Sequence, residues 1–343
     1  AAHFHGYGKF IDEPLEVELI HDPKIKSVPT GQGTTLDIVN LIDTVFPDSF
    51  TKLPHTKKRG IMYENWKNSK EFFHPFNFGT YSIHINPDDM QKFLTENLKI
   101  NFTLKEEKVI KYDEVDADYI IDCRGKPKSF EGYDKLINPL NCCLLGNAVK
   151  KEHDVEWTRA IATPDGWTFY IPLPDKTSIG YLFNSETTPL KKAISNYKKM
   201  FEVNDYIHFP FSQYVAKEPI INDRVLLNGN KLFFLEPLEA TAMDTYLQTC
   251  RYFWDYAINK KISREEANDL ILKYIRKIER FILWHYEDGS KYKTKFWEKA
   301  GKLSRKNRDK ELRDLIKSTK KLTYSETKYP NTFFNARYAQ WGP

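Results

Sequence analysis

The chain has 343 residues, more than one minimal domain needs and enough for about two domains of about 150 residues, or for one large α/β unit. Apolar residues make up 41% and charged residues 29%, which excludes a disordered chain and supplies the mass for a sizeable core. Lys+Arg number 52 against 47 Asp+Glu, a net charge of only +5; this is too thin for the basic stripe of a nucleic-acid binder, and no run of about 18 apolar residues offers a membrane span.

Ala1-Ala2-His3-Phe4 reads as the tail of a helix with no initiator Met, so we expect further residues upstream. Glu16-Val17-Glu18-Leu19-Ile20 is a short strand. From Thr34 to Phe46, the spacing of Ile38, Leu41, Ile42 and Val45 predicts a helix. Asn86-Pro87-Asp88-Asp89 opens another, with Asn as cap, Pro at the first helical position and two acids at the positive end of the dipole. Its core face would be Met90, Phe93 and Leu94. Asp118-Tyr119-Ile120-Ile121 predicts a strand, and Thr188-Pro189 a helix start. Ser263-Arg264-Glu265-Glu266 is a capping box before a long helix with Ile271, Tyr274, Ile275, Ile278, Phe281 and Ile282 on its apolar face. After about residue 301 the chain turns lysine-rich and less periodic, which predicts a peripheral helix and then an extended tail from Tyr324 to Pro343.

No repeat and no Gly/Ser linker divides the chain. We divide it into an intertwined α/β module, 1–260, and a helical C-terminal subdomain with tail, 261–343. Cys123, Cys142, Cys143 and Cys250 show no metal-ligand spacing, so we expect reduced thiols, no metal site and a cytoplasmic protein.

Four segments carry chemistry. Gly31-Gln32-Gly33-Thr34-Thr35 precedes an amphipathic helix; its glycines let backbone approach a ligand, and the helix start favours anions, although an ordinary turn reads the same way. Lys58 stands among Ile61, Tyr63 and Trp66, which look half-buried, so one lysine of the Lys57-Lys58 pair points inward. A buried lysine is paired or functional, because losing water destabilises its charged form. Gly166-Trp167-Thr168-Phe169-Tyr170-Ile171-Pro172 reads as a strand with aromatics on alternating faces. Glu236-Pro237-Leu238-Glu239-Ala240-Thr241-Ala242 leads into a helix whose buried face includes Met243, Tyr246 and Leu247. The first-turn amides of Thr241 and Ala242 suit a small anion, and a plain acidic N-cap is the alternative.

Together these segments resemble the flavin-dependent halogenases of the tryptophan-halogenase type over roughly residues 10 to 300. Gly31 to Thr35 is similar to the family's G-V-G-E-A-T loop, and Lys58 stands before Asn65-Trp66 as the family's catalytic lysine does. His74-Pro75-Phe76 looks like the His-Pro-Phe that sandwiches the substrate. Ile121-Asp122-Cys123-Arg124-Gly125 is similar to the family's Asp-Cys-x-Gly turn, Gly166 to Pro172 to W-x-W-x-I-P, and Glu236 to Ala242 to E-P-L-E-A-T-A/S. Phe281 to Tyr286 and Phe296-Trp297 resemble its late helical region. The lysine- and asparagine-rich composition and short length are similar to a cyanophage-encoded member, which would place the protein in a host cell's cytoplasm. Four departures stand out: the glycine-rich FAD fingerprint is not in this chain and would be expected just upstream of Ala1, the second Trp of W-x-W-x-I-P is Phe169, His21 with Asp22 beside it occupies the place of an acid, and the C-terminal tail is shorter than usual.

The resemblance implies an α/β, FAD-binding Rossmann-like monooxygenase/halogenase fold with a β-sheet substrate-side region and a helical C-terminal part. Reduced FAD from a separate flavin reductase, with O₂, would oxidise chloride, bromide or iodide to hypohalous acid, which halogenates a small electron-rich aromatic substrate. Lys58 and Glu239 would be catalytic. Gly31, Gly33, Thr34, Gly229, Asn230 and Met243 would bind FAD, Thr241 and Ala242 the halide, and His74 and Phe76 the arene. Because a nearby carboxylate raises a lysine's pKa, we expect Lys58 to be charged and to hold hypohalous acid by hydrogen bonding. Partners would be the reductase and the substrate, with a homo-oligomer open and neither nucleic acid nor membrane expected. A flavin monooxygenase of the same fold, or a non-catalytic binding protein, are the alternatives.

Overall fold

A computed structural model of the chain describes residues 1–8, 11, 14–25, 27–67, 71–76, 79–98, 102–149, 155–203, 205–319, 328–329 and 334–335. It begins with α1 (Ala2–Tyr7), β1 (Val17–His21), β2 (Gln32–Gly33), α2 (Leu36–Val45), α3 (Ser49–Lys52), β3 (His55–Lys58), β4 (Gly60–Glu64), β5 (Glu71–Pro75) and β6 (Ser82–Ile85). Next come α4 (Pro87–Asn97), β7 (Phe102–Glu106), β8 (Ile120–Asp122), β9 (Tyr133–Lys135), β10 (Cys142–Val149), β11 (Thr158–Thr163), β12 (Gly166–Pro172) and β13 (Lys176–Phe183). Then follow α5 (Leu190–Met200), β14 (Tyr206–Pro210), β15 (Tyr214–Ala216), β16 (Ile220–Ile221), β17 (Val225–Leu227) and β18 (Phe233–Phe234). Helices α6 (Ala242–Ala257), α7 (Arg264–Trp284), α8 (Lys295–Lys306) and α9 (Lys310–Thr319) precede two short strands, β19 (Lys328–Tyr329) and β20 (Phe334–Asn335).

A seven-stranded sheet in the order β14-β10-β13-β12-β11-β4-β5 dominates the architecture. It is antiparallel except where β11 runs parallel to β4. Its strands alternate apolar residues to both faces, since successive side chains point in opposite directions. Cys142, Leu144, Ile179, Tyr181 and Phe183 pack under α5 with Ala193 and Tyr197. On the other face Cys143, Leu145, Trp167, Phe169 and Ile171 share one core with Ile275, Ile278, Phe281 and Trp297 of the helical part. The aromatic alternation read for 166–172 is therefore realised with every residue of β12 buried. Gly180 is required there, because a Cβ would sit 2.0 Å from the Phe169 ring.

Two smaller units position the site. Strands β2, β6 and β3 form a three-stranded sheet in that order, packed against α2 and α4 through Ile38, Ile42, Ile83, Ile85 and Phe93. Parallel pairs β1–β7 and β8–β17 add to the parallel pairing of β4 with β11.

Local signals in the sequence became elements with small shifts at their ends. Asn86 caps α4, accepting from the Asp88 amide, and Ser263 caps α7, accepting from the Glu266 amide. Helix α2 starts at Leu36 with Thr35 as cap, and α5 starts at Leu190 after Pro189. The strand expected at 118–121 forms two residues later, at Ile120–Asp122. The lysine-rich segment holds two helices, α8 and α9, where one was expected. Most of the tail predicted from Tyr324 lies outside the described residues.

The β11–β12 turn is fastened by Asp165, which is 2% exposed and accepts from Tyr181 Oη at 2.6 Å, Thr188 Oγ1 at 3.0 Å and Asn196 Nδ2 at 2.6 Å. Removing the acceptor strands three donors in a dry place. Asp165→Ala should therefore lower the unfolding free energy in urea by about 2–4 kcal/mol, with Asp165→Asn losing less.

Candidate active site

The site is built where β3 ends. Lys57 is exposed and its amine lies over the Tyr81 ring, whereas Lys58 is 1% exposed. Strand alternation separates the two neighbours. Lys58 pairs across the sheet with Ser82, and its Nζ donates to Thr34 O at 3.1 Å. Thr34 is itself pinned, its Oγ1 2.5 Å from Ser82 Oγ and 3.1 Å from Ile83 O. The Phe76 ring lies 5.4 Å from the amine, a cation–π distance. His74, 2% exposed, stacks on Phe72 at 6.5 Å.

Glu239 closes the other side. It is 6% exposed and adopts φ +73°, and Ala240 after it has φ +55°. Two consecutive left-handed residues that are not glycine store strain of about 1–3 kcal/mol each, a feature that gathers at functional sites. The carboxyl is held firmly: Tyr63 Oη donates to Oε1, and His285 Nε2 lies 2.8 Å from the same oxygen. A Cβ on Gly33 would meet Lys58 Nζ at 3.3 Å, Ala240 Cβ at 3.5 Å and His84 Cδ2 at 3.5 Å. Lys58, Glu239, Gly33, Thr34 and Phe76, singled out from sequence, thus come together in one cluster, with Lys58, Thr34 and Glu239 buried and Gly33 and Phe76 half-buried.

Burial pushes the Lys58 amine down to about 8, with Glu239 pulling it back up. Desolvation is the larger influence, the reverse of the balance expected from the carboxylate alone. His84, fully buried beside the lysine, is held well below the usual imidazole range by burial and then by the lysine's charge. Its Nδ1 meets Thr56 Oγ1 at 3.2 Å and its Nε2 meets Thr158 Oγ1 at 2.8 Å. Glu236 has a different setting. It accepts from Trp167 Nε1 at 2.6 Å, from Tyr286 Oη at 2.7 and 2.9 Å, and from Asn138 Nδ2. Burial raises its pKa against those hydrogen bonds and against His285.

The remaining candidates surround this cluster. The α6 hydrogen-bond ladder begins with Thr245 N to Thr241 O at 2.9 Å, so the first-turn amides, Ala242 among them, have no acceptor four residues back in the helix. Thr35, the cap of α2, donates to Asp244 Oδ1 of α6 at 3.2 Å, so two positive helix ends converge. Met243 and Gln32 line an apolar cavity of about 280 Å³ with Leu19 and Ile85. Gly229 and Asn230 lie apart, after β17. The Asn228 amide bonds Asp122 O there, joining the carboxyl ends of two parallel strands, where α/β folds bind ligands. At Gly229, φ +58°, a Cβ would meet only Cys123, at 3.9 Å, which leaves an open cradle. These features fit an extended, partly apolar and partly anionic cofactor. Gly31, by contrast, is explained by the protein's own packing, since a Cβ would press on Ile171, Leu173 and Ser178 at 3.1 Å.

Sequence reasoning missed three groups: His84, Asp244 and the pairing of His285 with Glu239. For His285 a signal existed, because it falls within the late segment Phe281 to Tyr286 already singled out. Among the described residues, no cluster of His, Cys, Asp and Glu could hold a metal ion, and no helix is long and apolar enough to cross a membrane.

The lysine makes a prediction about stability. Between pH about 8 and 10.5 the unfolded lysine stays protonated while the folded one does not. The unfolded state then binds more protons, so stability rises with pH across that window, by about 3 kcal/mol in all. Lys58→Met should abolish this rise and should stabilise the protein below pH 8, as read from urea unfolding at a series of pH values.

The tryptophan halogenase family model matches residues 103–340. Tryptophan 7-halogenase RebH of Lentzea aerocolonigenes is 22% identical in an alignment 252 positions long that covers 63% of this chain and 47% of that protein, so the chain spans about half the length of this curated relative. Two solved structures have the same fold. Xcc4156, a flavin-dependent halogenase from Xanthomonas campestris, superposes with TM-score 0.80 at 17% identity, covering 99% of this chain and 86% of its own. A tryptophan halogenase from Shewanella frigidimarina gives TM-score 0.81 at 16% identity, again covering 99% and 86%. The architecture built above, a large mixed sheet with a helical C-terminal part, is the one these structures share, and by the match to its model the chain belongs to the tryptophan halogenase family.

Proposed function

We propose that the protein is an FAD-dependent halogenase that oxidises a halide to hypohalous acid and uses it to halogenate a small electron-rich arene. One observation carries this reading: a buried amine, Lys58, shares a dry cluster with a buried carboxyl, Glu239, and with the Phe76 ring. FAD in its reduced form, delivered by a separate flavin reductase, supplies with O₂ the oxidising power that converts chloride, bromide or iodide. Gly33, Thr34 and Met243 would hold it on the cavity side, Gly229 and Asn230 at the strand ends, and the first-turn amides at Thr241 and Ala242 would hold the halide, while Gly31 serves the packing beneath the loop.

The protein's own residues account for the transfer. With its pKa lowered to about 8, the Lys58 amine is mostly protonated at neutral pH yet a better acid than a free lysine. It hydrogen-bonds the hypohalous acid and gives up a proton to the departing hydroxide, which leaves as water. The arene's π electrons form the new carbon–halogen bond as the oxygen–halogen bond breaks. Glu239 stabilises the ring cation and accepts the ring proton as aromaticity returns. His74 and Phe76 position the ring. The burial of Lys58 and Glu239 would shield the oxidant from bulk solvent and so from hydrolysis and stray reaction. We take the protein to act in the cytoplasm, a host's cytoplasm on a viral origin, with homo-oligomerisation open.

The test is to incubate the protein with a flavin reductase, FAD, NADH, a panel of phenols and indoles and each halide in turn. Products are read by mass spectrometry. Halogenated product is expected, and Lys58→Ala should reduce it by at least about 100-fold while flavin reoxidation continues unchanged. Hydroxylated product, or wild-type halogenation by the variant, would refute the reading.

A further inference from the structure

We propose that His84 is a positioning residue for Lys58: both its ring nitrogens are bound to threonines, so it turns a carbon edge to the space beside the amine and keeps that amine dry and short of acceptors. Strand geometry puts the two side chains together. Thr56 pairs with His84 and Lys58 with Ser82 across β3 and β6, and residues two apart on a strand share a face. The ring nitrogens can be assigned from their partners. Thr56 has one hydroxyl hydrogen, which goes to Pro172 O at 2.6 Å. Its oxygen therefore accepts, at 3.2 Å, from Nδ1, which carries a hydrogen. Thr158 Oγ1 lies 2.8 Å from Nε2 and has no other hydrogen-bond partner among the described residues, so its hydrogen is available to the Nε2 lone pair. A neutral ring is then satisfied at both nitrogens.

Neither nitrogen is left for the lysine. A Cβ placed on Gly33 would lie 3.3 Å from Lys58 Nζ and 3.5 Å from His84 Cδ2, so the amine and the carbon edge of the ring border the same small space. His84 is 0% exposed and Lys58 1%. A charged amine has three donors, and among the described residues Thr34 O is its one hydrogen-bond acceptor, at 3.1 Å. The other donors are thus kept for a bound ligand. The titratable groups bearing on the amine are His84 from β6 and Glu239 from the turn before α6, with His285 beyond Glu239. Burial is the larger influence on the lysine, and the ring is part of what buries it. A shorter side chain here would admit water, and the amine would hold its proton more tightly.

This arrangement stands without the halogenase reading; only its catalytic consequence rests on it. The intact chain, with 13C-labelled lysine and no flavin or halide present, is titrated by NMR, and the Lys58 Cε signal is identified by its loss in Lys58→Met. His84→Ala should raise the Lys58 titration from about 8 by at least about one unit, a tenfold gain in proton affinity. His84→Phe restores a ring edge without nitrogens and should hold the titration within about half a unit of wild type. If His84→Ala does not fold, His84→Asn replaces it and should raise the titration in the same direction, being shorter and carrying an acceptor. A Lys58 titration that stays put in whichever shortened variant folds, or that moves as far with Phe as with the shortened residue, overturns the proposal. In the enzyme assay, arene halogenation should fall as Lys58 loses its proton, and the shortened variant should carry that alkaline fall upward by the same interval as the titration. A fall that stays put while the titration moves overturns the catalytic part and leaves the packing in place.

Discussion

The site depends on keeping charge where water is nearly absent. Lys58, His84, Glu239 and His285 are all buried, and each charge among them must be compensated by a partner or suppressed by a shifted pKa. The lysine is partly suppressed by burial and partly sustained by Glu239. His84 is pressed towards neutrality by burial and by that lysine. A second cation beside the amine is thereby avoided, and Lys58 and Glu239 remain the opposed pair. The strained turn at Glu239 is the mechanical counterpart. It delivers a carboxyl from the mouth of α6 into a space that an ordinary helix start would not reach.

Two carboxylates three residues apart have opposite duties. Glu236 gathers the indole of Trp167, the phenol of Tyr286 and the amide of Asn138. These donors come from β12, from the segment after α7 and from the loop before β10, so Glu236 ties the large sheet to the helical part. Such a group is saturated by its framework and has little capacity for chemistry. Glu239 sits instead on a left-handed turn, facing the buried amine. Proline between them, at position 237, interrupts regular structure, so the two acids need not share one face.

Much of this was legible in the sequence where local chemistry decides. Asn86 and Ser263 announced their helices because a cap is a bond between neighbours in the chain. The alternation in Gly166 to Pro172 sufficed for a strand buried on both sides. The inward lysine could be narrowed to the Lys57-Lys58 pair, and strand alternation then chose Lys58. What stayed hidden depends on contacts between distant segments. His84 reads as an ordinary strand residue until β2 and β3 are laid beside β6. The Thr35–Asp244 bond spans two helix starts 209 positions apart. His285 and Glu239 meet only because α7 returns its end to the β4 side of the sheet. The size of the lysine's pKa shift was also out of reach, since it is a sum over burial that no motif encodes.

The loop from Gly31 to Thr35 explains why the cluster can be this tight. Gly33 has no side chain where a Cβ would lie 3.3 Å from the lysine nitrogen, so backbone takes the place of water beside the amine. Thr34 then offers its carbonyl as acceptor, and its hydroxyl locks the loop onto β6 through Ser82 and Ile83. Thr35 caps α2 and reaches Asp244 in α6, while Gln32 lines the apolar cavity together with Met243. One five-residue segment therefore borders the cavity, the helix start proposed for the anion and the buried amine. A displacement of this loop on the cavity side cannot leave Lys58 unaffected, because the atom that accepts the lysine's hydrogen bond belongs to the loop itself.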